Sequence, residues 1–360
     1  MQLNRFLLYG ANGYTGELIA RYSNSFGLEP ILAGRSKQAI ESIANRLNLS
    51  FIVFDLSDKA ALLDALRKVK LVVHAAGPFV HTAKQMIEAC IEAGVHYVDI
   101  NGDVPVFEMI RLYNDAANKA GIQLLPGAGF DVVPTDCLAM KLKRRLPDAH
   151  LLQLAFAGLG AGISHGTALT MLGRLGEKSL IRKDGILTPI ALGKKGMWVD
   201  FFTGKEKPRK KLWVMNIQWG DVSTAHFTTG VPNIEVYTAI SRNLFRFLKF
   251  QGLFNWLLRT RWMRNYLRKK IEQRPAGPSD EQRAAAKSLV WGRATNKMGE
   301  SVEIRMAGPE GYSITSFCVL LIAQKILKGN FKPGYQTPAS AYGDGLMEEV
   351  QGVEIEELAD

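Results

Sequence analysis

Cysteine is scarce in this chain. The three present, Cys90, Cys137 and Cys318, are odd in number, far apart and set among apolar residues. This excludes a disulfide framework and a thiolate metal site and predicts reduced core thiols. Histidine is sparse too, and the six show neither HxxxH nor HExxH spacing, so no metal is expected. The first residues run into an apolar strand, Phe6 to Tyr9, too short for the core of a signal peptide, which predicts a cytoplasmic protein. No internal repeat is present. One stretch, Leu151 to Gly173, lacks Asp, Glu, Lys and Arg and invites a transmembrane reading. Gly158, Gly160, Gly162, Ser164, His165, Gly166 and Thr167 interrupt it, and predict a strand, a loop and a helix start instead.

What is present is enough apolar residue for two cores: 47% of 360 residues. The first third alternates regularly. Strands are predicted at Phe6–Tyr9, Glu29–Gly34, Phe51–Phe54, Leu71–Ala75, His96–Ile100 and Ile122–Leu125. Helices are predicted between them at Gln38–Leu47, Lys59–Val69, Thr82–Ala93 and Val104–Ala120. Short apolar runs alternating with amphipathic helices imply a doubly wound parallel sheet covered on both faces.

The first strand runs into Gly10, Gly13 and Gly16, with Asn12, Tyr14 and Thr15 between them. Glycine permits a tight turn and a close approach of backbone to a diphosphate, whose charge suits the first turn of a helix. The spacing is GxxGxxG, not the usual GxGxxG. At the end of the second strand, where NAD-binding folds place a carboxylate for the ribose hydroxyls, stand Arg35 and Ser36. A guanidinium can pair bidentately with a 2′-phosphate, so NADP(H) is the expected cofactor. Asp55, with the Leu56 amide, is expected at the adenine edge. Ala75, Ala76, Gly77 and Pro78 are small enough to pass beneath the ribose.

The segments Gly10–Gly16, Ala33–Arg35, Ala75–Phe79, Cys90–Asp99 with Asn101–Asp103, and Gly129–Pro134 resemble the saccharopine dehydrogenase-like oxidoreductases. That group includes trans-acting enoyl reductases of lipid biosynthesis. Shorter likenesses continue at Gly166-Thr167, Pro309–Tyr312 and Thr337–Ala339. The resemblance implies an NADP-binding Rossmann domain, a second α/β domain with a mixed sheet, and a homodimer; it does not fix the reaction. The domains are expected at 1–130 (nucleotide), 131–335 (substrate and dimerisation) and 336–360, the last packing back on the nucleotide domain.

Beyond the nucleotide domain, Pro134 should lie in the first turn of a helix reaching Arg145. Lys211–Trp219, Thr224–Thr229 and Ile234–Ile240 read as strands, Leu289–Thr295 and Ser301–Met306 as a hairpin about Asn296–Gly299, and Tyr312–Leu327 as a buried helix.

Charge is uneven. Asp200 to Arg274 holds fifteen Lys/Arg against five Asp/Glu, nearly all of the net +11. Residues 243–274 interleave basic and aromatic side chains, including Phe254 and Arg259. On a helix, Leu258, Trp262, Met263, Tyr266 and Leu267 would share one side, and Arg261, Arg264 and Arg268 the other. The alternatives are contact with an anionic membrane surface, internal packing, and a protein interface; nucleic acid is not expected.

A nicotinamide enzyme must place its substrate and manage one proton. Asp99, Asp103, Asp131 and His165 lie in loops expected to face the cofactor, with Asp131 and His165 the catalytic candidates. Asp131 could equally cap a helix, and His165 could bind a backbone carbonyl or a phosphate. The expected activity is NADPH-dependent reduction of a hydrophobic or lipid-like substrate. Saccharopine-type amino-acid dehydrogenation and a non-catalytic NADP(H)-binding scaffold or sensor at the membrane are the alternatives.

Overall fold

The computed structural model describes residues 4–160, 162–174, 176–250, 255–258 and 260–357. The chain divides into two compact units: 1–133 with 312–343, and 134–311 with 344–360.

The first unit is built on β1 (Arg5–Tyr9), β2 (Glu29–Gly34), β3 (Phe51–Val53), β4 (Leu71–His74), β5 (His96–Asp99) and β6 (Gln123–Leu125). These pair in parallel in the order 3-2-1-4-5-6, and Gly334–Tyr335 adds a seventh parallel strand beside β6. This is the doubly wound order that puts a crevice at the carboxyl ends of β1 and β4. Phe6, Leu7, Leu8, Leu71, Val72 and Val73 are fully buried, as strands covered on both faces require. Ser36 and Asp58 accept hydrogen bonds from Ala39 N–H and Ala61 N–H and so start the helices Lys37–Leu47 and Lys59–Leu66.

Two sequence expectations change here. Val104–Ala120 is not one helix but two, Val104–Arg111 and Asn114–Ala120. The Leu112 and Tyr113 amides reach back only three residues, to Met109 and Ile110, which ends the first. Asn114 Oδ1 then accepts from Tyr335 N–H at 3.1 Å, fixing the added strand. The expected boundary at 335 also differs from the division observed. The helix Gly311–Leu327, buried on nearly all sides through Ile314, Cys318, Val319, Leu320, Ile322 and Ala323, joins the nucleotide unit from Tyr312 onward. Of the segment 336–360, Pro338–Tyr342 stays with that unit, Asp344 onward belongs to the other, and 358–360 lie outside the described residues.

The second unit carries a nine-stranded mixed sheet. Leu151–Leu159 pairs in parallel with Asn233–Ala239 and antiparallel with Lys287–Thr295. The hairpin Lys287–Thr295/Ser301–Gly308 pairs Thr295 with Ser301 across the expected turn, and Glu354–Glu357 closes that edge. Thr224–Thr229, expected as a strand, lies in a helix, Asp221–Thr229. Its β-branched and aromatic residues favour strand, but Asp221 suits the first turn and Gly230, at φ 69°, ends it in the left-handed conformation. Strands at Ser179–Lys183, Ile186–Ile190 and Gly196–Phe201 had no counterpart in the sequence reading.

Candidate functional site

At the end of β1 the chain turns through Gly10–Gly13 into the helix Tyr14–Tyr22. Gly10 adopts φ 90°, and a Cβ there would lie 2.7 Å from the Ala75 carbonyl carbon and the Ala76 nitrogen. The Ala75–Pro78 loop is therefore pressed against this turn. A Cβ on Gly16 would lie 2.3 Å from Gly10 O, so Gly16 serves the close packing of helix on turn. Gly13 differs. Its φ of −80° suits any residue, and the nearest atom to an added Cβ is Gly10 O at 3.4 Å. Protein packing does not require glycine there, and the helix has no side-chain cap to occupy its first amides. That cradle fits a dinucleotide pyrophosphate, which would accept hydrogen bonds from the amides of Tyr14, Thr15 and Gly16.

The neighbouring strand ends supply the remaining expected contacts. Arg35 is exposed at the end of β2, with Nε 3.9 Å from an Asp55 carboxylate oxygen. Asn12 Oδ1 reaches over the same strand end, 3.2 Å from where a Cβ on Gly34 would be. Ser36 is held as the cap of the following helix. Asp55 accepts from the Ser57 amide at 2.9 Å and the Ser57 hydroxyl at 2.7 Å, bonds that hold its carboxyl below the usual range. Leu56 beside it is buried. The Ala75–Pro78 loop is fixed by Ala75 N–H donating to Tyr9 O and Thr82 Oγ1 donating to Ala76 O, each at 2.8 Å.

Asp99 ends β5 fully buried. It accepts from Tyr97 Oη at 2.7 Å, Asn101 N at 3.0 Å, Asn101 Nδ2 at 2.8 Å and Gly127 N at 2.8 Å. Burial raises its pKa against the lowering effect of these donors. Its partners make it the tie between the 101–103 loop and the turn after β6. Asp103 N–H donates to Asn101 Oδ1, and Asp103 stands before the helix Val104–Arg111. Asp131 is brought to the same loop, its Oδ2 2.7 Å from where a Cβ on Gly102 would sit.

Residues outside the sequence-derived candidates complete this frame. Thr315, in the helix Gly311–Leu327, accepts from Phe130 N–H at 2.9 Å and packs against Gly129. Tyr312, in the same helix, meets Tyr14 edge-to-face with ring centroids 5.0 Å apart. A single helix thus braces both the glycine turn and the Asp131 loop. The sequence reading had this buried helix at Tyr312–Leu327, but only the short motif Pro309–Tyr312 hinted at its role here.

His165 belongs to the second unit. Its Nε2 lies 2.6 Å from Arg274 O, so that nitrogen carries the proton and donates, while His165 N–H donates to Ala276 O at 2.9 Å. Of the basic segment, Phe254 and Arg259 lie outside the described residues. Residues 251–253 lie outside them too, and the described part of the segment includes the helices Arg242–Lys249, Asn255–Leu258 and Arg261–Glu272. The expected sidedness of the last is altered: Met263, Arg264, Leu267 and Ile271 are half-buried, whereas Trp262 and Tyr266 stack on each other in the open. No group of metal-ligating side chains occurs among the described residues, and no helix among them is long and apolar enough to cross a membrane.

Comparison with known proteins agrees with this geometry. The family described as "Saccharopine dehydrogenase NADP binding domain" matches residues 6–125. A "Lipid droplet localized protein" of Caenorhabditis elegans is 25% identical over 95% of this chain and 94% of its own. A "Putative trans-acting enoyl reductase" of Mycobacterium tuberculosis is 26% identical over 95% of this chain and 94% of its own. The solved structure of apo saccharopine dehydrogenase (L-Glu forming) from Saccharomyces cerevisiae shares the fold, with a TM-score of 0.68 at 14% identity, covering 99% of this chain and all of that one. Residues 6–125 are thus similar to the saccharopine dehydrogenase NADP-binding domain, and the chain along its length is similar to a putative trans-acting enoyl reductase and a lipid droplet localized protein.

Proposed function

We propose that this protein is an NADPH-dependent oxidoreductase that reduces a hydrophobic, lipid-like substrate, in the manner of an enoyl reductase. The observation that carries the reading is Gly13, the one glycine of the turn whose missing side chain leaves space for a ligand and not for the protein. Arg35 at the end of β2 favours the 2′-phosphate of NADPH over the ribose hydroxyls of NADH. The bound nicotinamide supplies the hydride. In this reading Asn12, Tyr14, Thr15 and Gly16 hold the diphosphate, Asp55 and Leu56 border the adenine, and Ala75–Pro78 shape the floor. Asp131 and His165 are the groups proposed to hold the proton, with Asp99 positioning the Asp131 loop.

Two relatives bear on the substrate: one is named as an enoyl reductase, the other for its place on lipid droplets. The basic segment 243–274 supports a second element of the reading, contact with an anionic membrane surface; a cytoplasmic homodimer that binds no nucleic acid is proposed with it. NADPH absorbance, followed with enoyl thioesters and lipid enones against saccharopine, is the test. Oxidation by saccharopine alone would identify an amino-acid dehydrogenase. Tight NADPH binding without turnover of any substrate would leave a sensor or scaffold.

A further inference from the structure

The second unit exposes large apolar side chains along consecutive helices. Leu244, Phe247 and Phe250 are 47%, 60% and 59% exposed, Trp256 and Trp262 are 72% and 67%, and Tyr266 is 50%. Residues 241–274 hold ten Lys/Arg and a single acid, Glu272. Internal packing is the ordinary fate of an amphipathic helix and half-buries Met263, Leu267 and Ile271, but it leaves the larger side chains named above exposed.

The sequence reading confined this surface to 243–274. The structure extends it. The helix Arg261–Glu272 packs against the helix His165–Gly173. His165 fastens the two: its ring bonds to Arg274 O and its amide to Ala276 O, just beyond the end of the basic helix. The His165–Gly173 helix buries Ala168 and Leu172 and exposes Leu169 and Met171, and Ile163 before it is 47% exposed. It carries no charged side chain.

We infer that these helices form a single insertion element for an anionic phospholipid surface, in which Ile163, Leu169 and Met171 enter the lipid together with Leu244, Trp256 and Trp262. The inference rests on the membrane contact proposed above and adds to it. Charge brings the protein to the surface, with about 1 kcal/mol for each Lys or Arg near it. Burial of Trp256, Trp262, Leu169 and Met171 among acyl chains then holds it there. The committed partner is a lipid surface because an excess of nine positive charges interleaved with exposed Trp, Tyr and Phe matches anionic headgroups above hydrocarbon. An acidic protein partner would be met by the charges and would leave these apolar side chains without a role.

The test uses the whole protein with phosphatidylcholine–phosphatidylserine vesicles, with and without brominated acyl chains. Wild type should sediment with the vesicles, and bromolipid should quench its tryptophan fluorescence. Trp256→Phe with Trp262→Phe should lose most of that quenching while still sedimenting. Leu169→Ser with Met171→Ser should weaken vesicle binding at least about tenfold, a lower bound for losing the lipid burial of two half-exposed apolar side chains. NADPH affinity, measured on every variant, should not move. Sedimentation without quenching overturns insertion and leaves an electrostatic contact. Unchanged binding by the 169/171 variant overturns the extension. Failure to sediment at low salt overturns both this inference and the membrane contact beneath it.

Discussion

Replacement of Gly13 by alanine separates the ligand's demands on the glycine turn from those of the fold. The added Cβ would meet only Gly10 O, at 3.4 Å, an ordinary contact distance. Gly13 is the N-cap of its helix, with extended φ and ψ, so alanine needs no new backbone conformation. Exchanging glycine for alanine at a cap costs at most about 1 kcal/mol, and the stiffer unfolded chain returns roughly 0.4–1 kcal/mol. Net stability should hardly change. The cofactor should feel the methyl fully, because it occupies the approach to the helix amides. Losing two hydrogen bonds to a charged diphosphate, at about 1.5–3 kcal/mol each, weakens binding roughly 10²- to 10⁴-fold. Valine should abolish it. Gly16→Ala should behave in the opposite order: its Cβ would lie 2.3 Å from Gly10 O, so melting should fall sharply whether or not cofactor is present. Calorimetric NADPH titration with thermal melts on all three variants decides the matter. A Gly13→Val protein that binds NADPH normally would refute the phosphate assignment, and a Gly13→Ala protein that fails to fold would refute the packing argument.

Three further outcomes are expected. Arg35→Ala should weaken NADPH by about 1–3 kcal/mol, the value of a charged hydrogen bond less the surface pair with Asp55 that is also lost, while NADH titrations stay unchanged; equal losses for both cofactors would exclude Arg35 from phosphate recognition. Burial lowers the His74 imidazole from 6.5 to about 3, so below pH 6.5 the unfolded chain gains a proton that the native state refuses. Stability present above that pH should fall by roughly 2 kcal/mol by pH 5, and His74→Asn should flatten the slope in urea unfolding at the two extremes. The thiols of Cys90, Cys137 and Cys318 are buried and not in disulfides, so a thiol reagent should label none of them until denaturant is added.

The nucleotide unit was readable because its signals are local. Each strand is a short apolar run closed by a turn, and the glycines and Arg35 sit at strand ends fixed by the order of elements. The hairpin about Asn296–Gly299 was readable for the same reason. Asp221–Thr229 was misread because its side chains favour strand, while the evidence for helix lies at its two ends and in the burial of Val222, Thr224 and Ala225. The pairing of Gly334–Tyr335 with β6 depends on partners about two hundred residues away, and two residues carry no periodicity of their own. Thr315 was missed likewise. Within its helix it is one more small residue, and only the tertiary fold gives it the Phe130 amide to accept. The Asp99 cluster lay between these cases: the run Asp99-Ile-Asn-Gly-Asp103 marked a polar loop, but not that Gly127 would join it.

The chain's route between its units limits how the protein can be cut. It leaves the nucleotide unit after Val133, re-enters at Tyr312 and leaves again after Gly343. A stop after residue 311 would remove the helix carrying Tyr312 and Thr315, the seventh strand of one sheet and the last strand of the other. Late truncation therefore damages both halves at once, and neither half is a continuous segment that could be fused to another protein as a cassette. Exchange of the second unit between relatives would need paired junctions near 133, 311 and 343, spliced together, and not a single crossover.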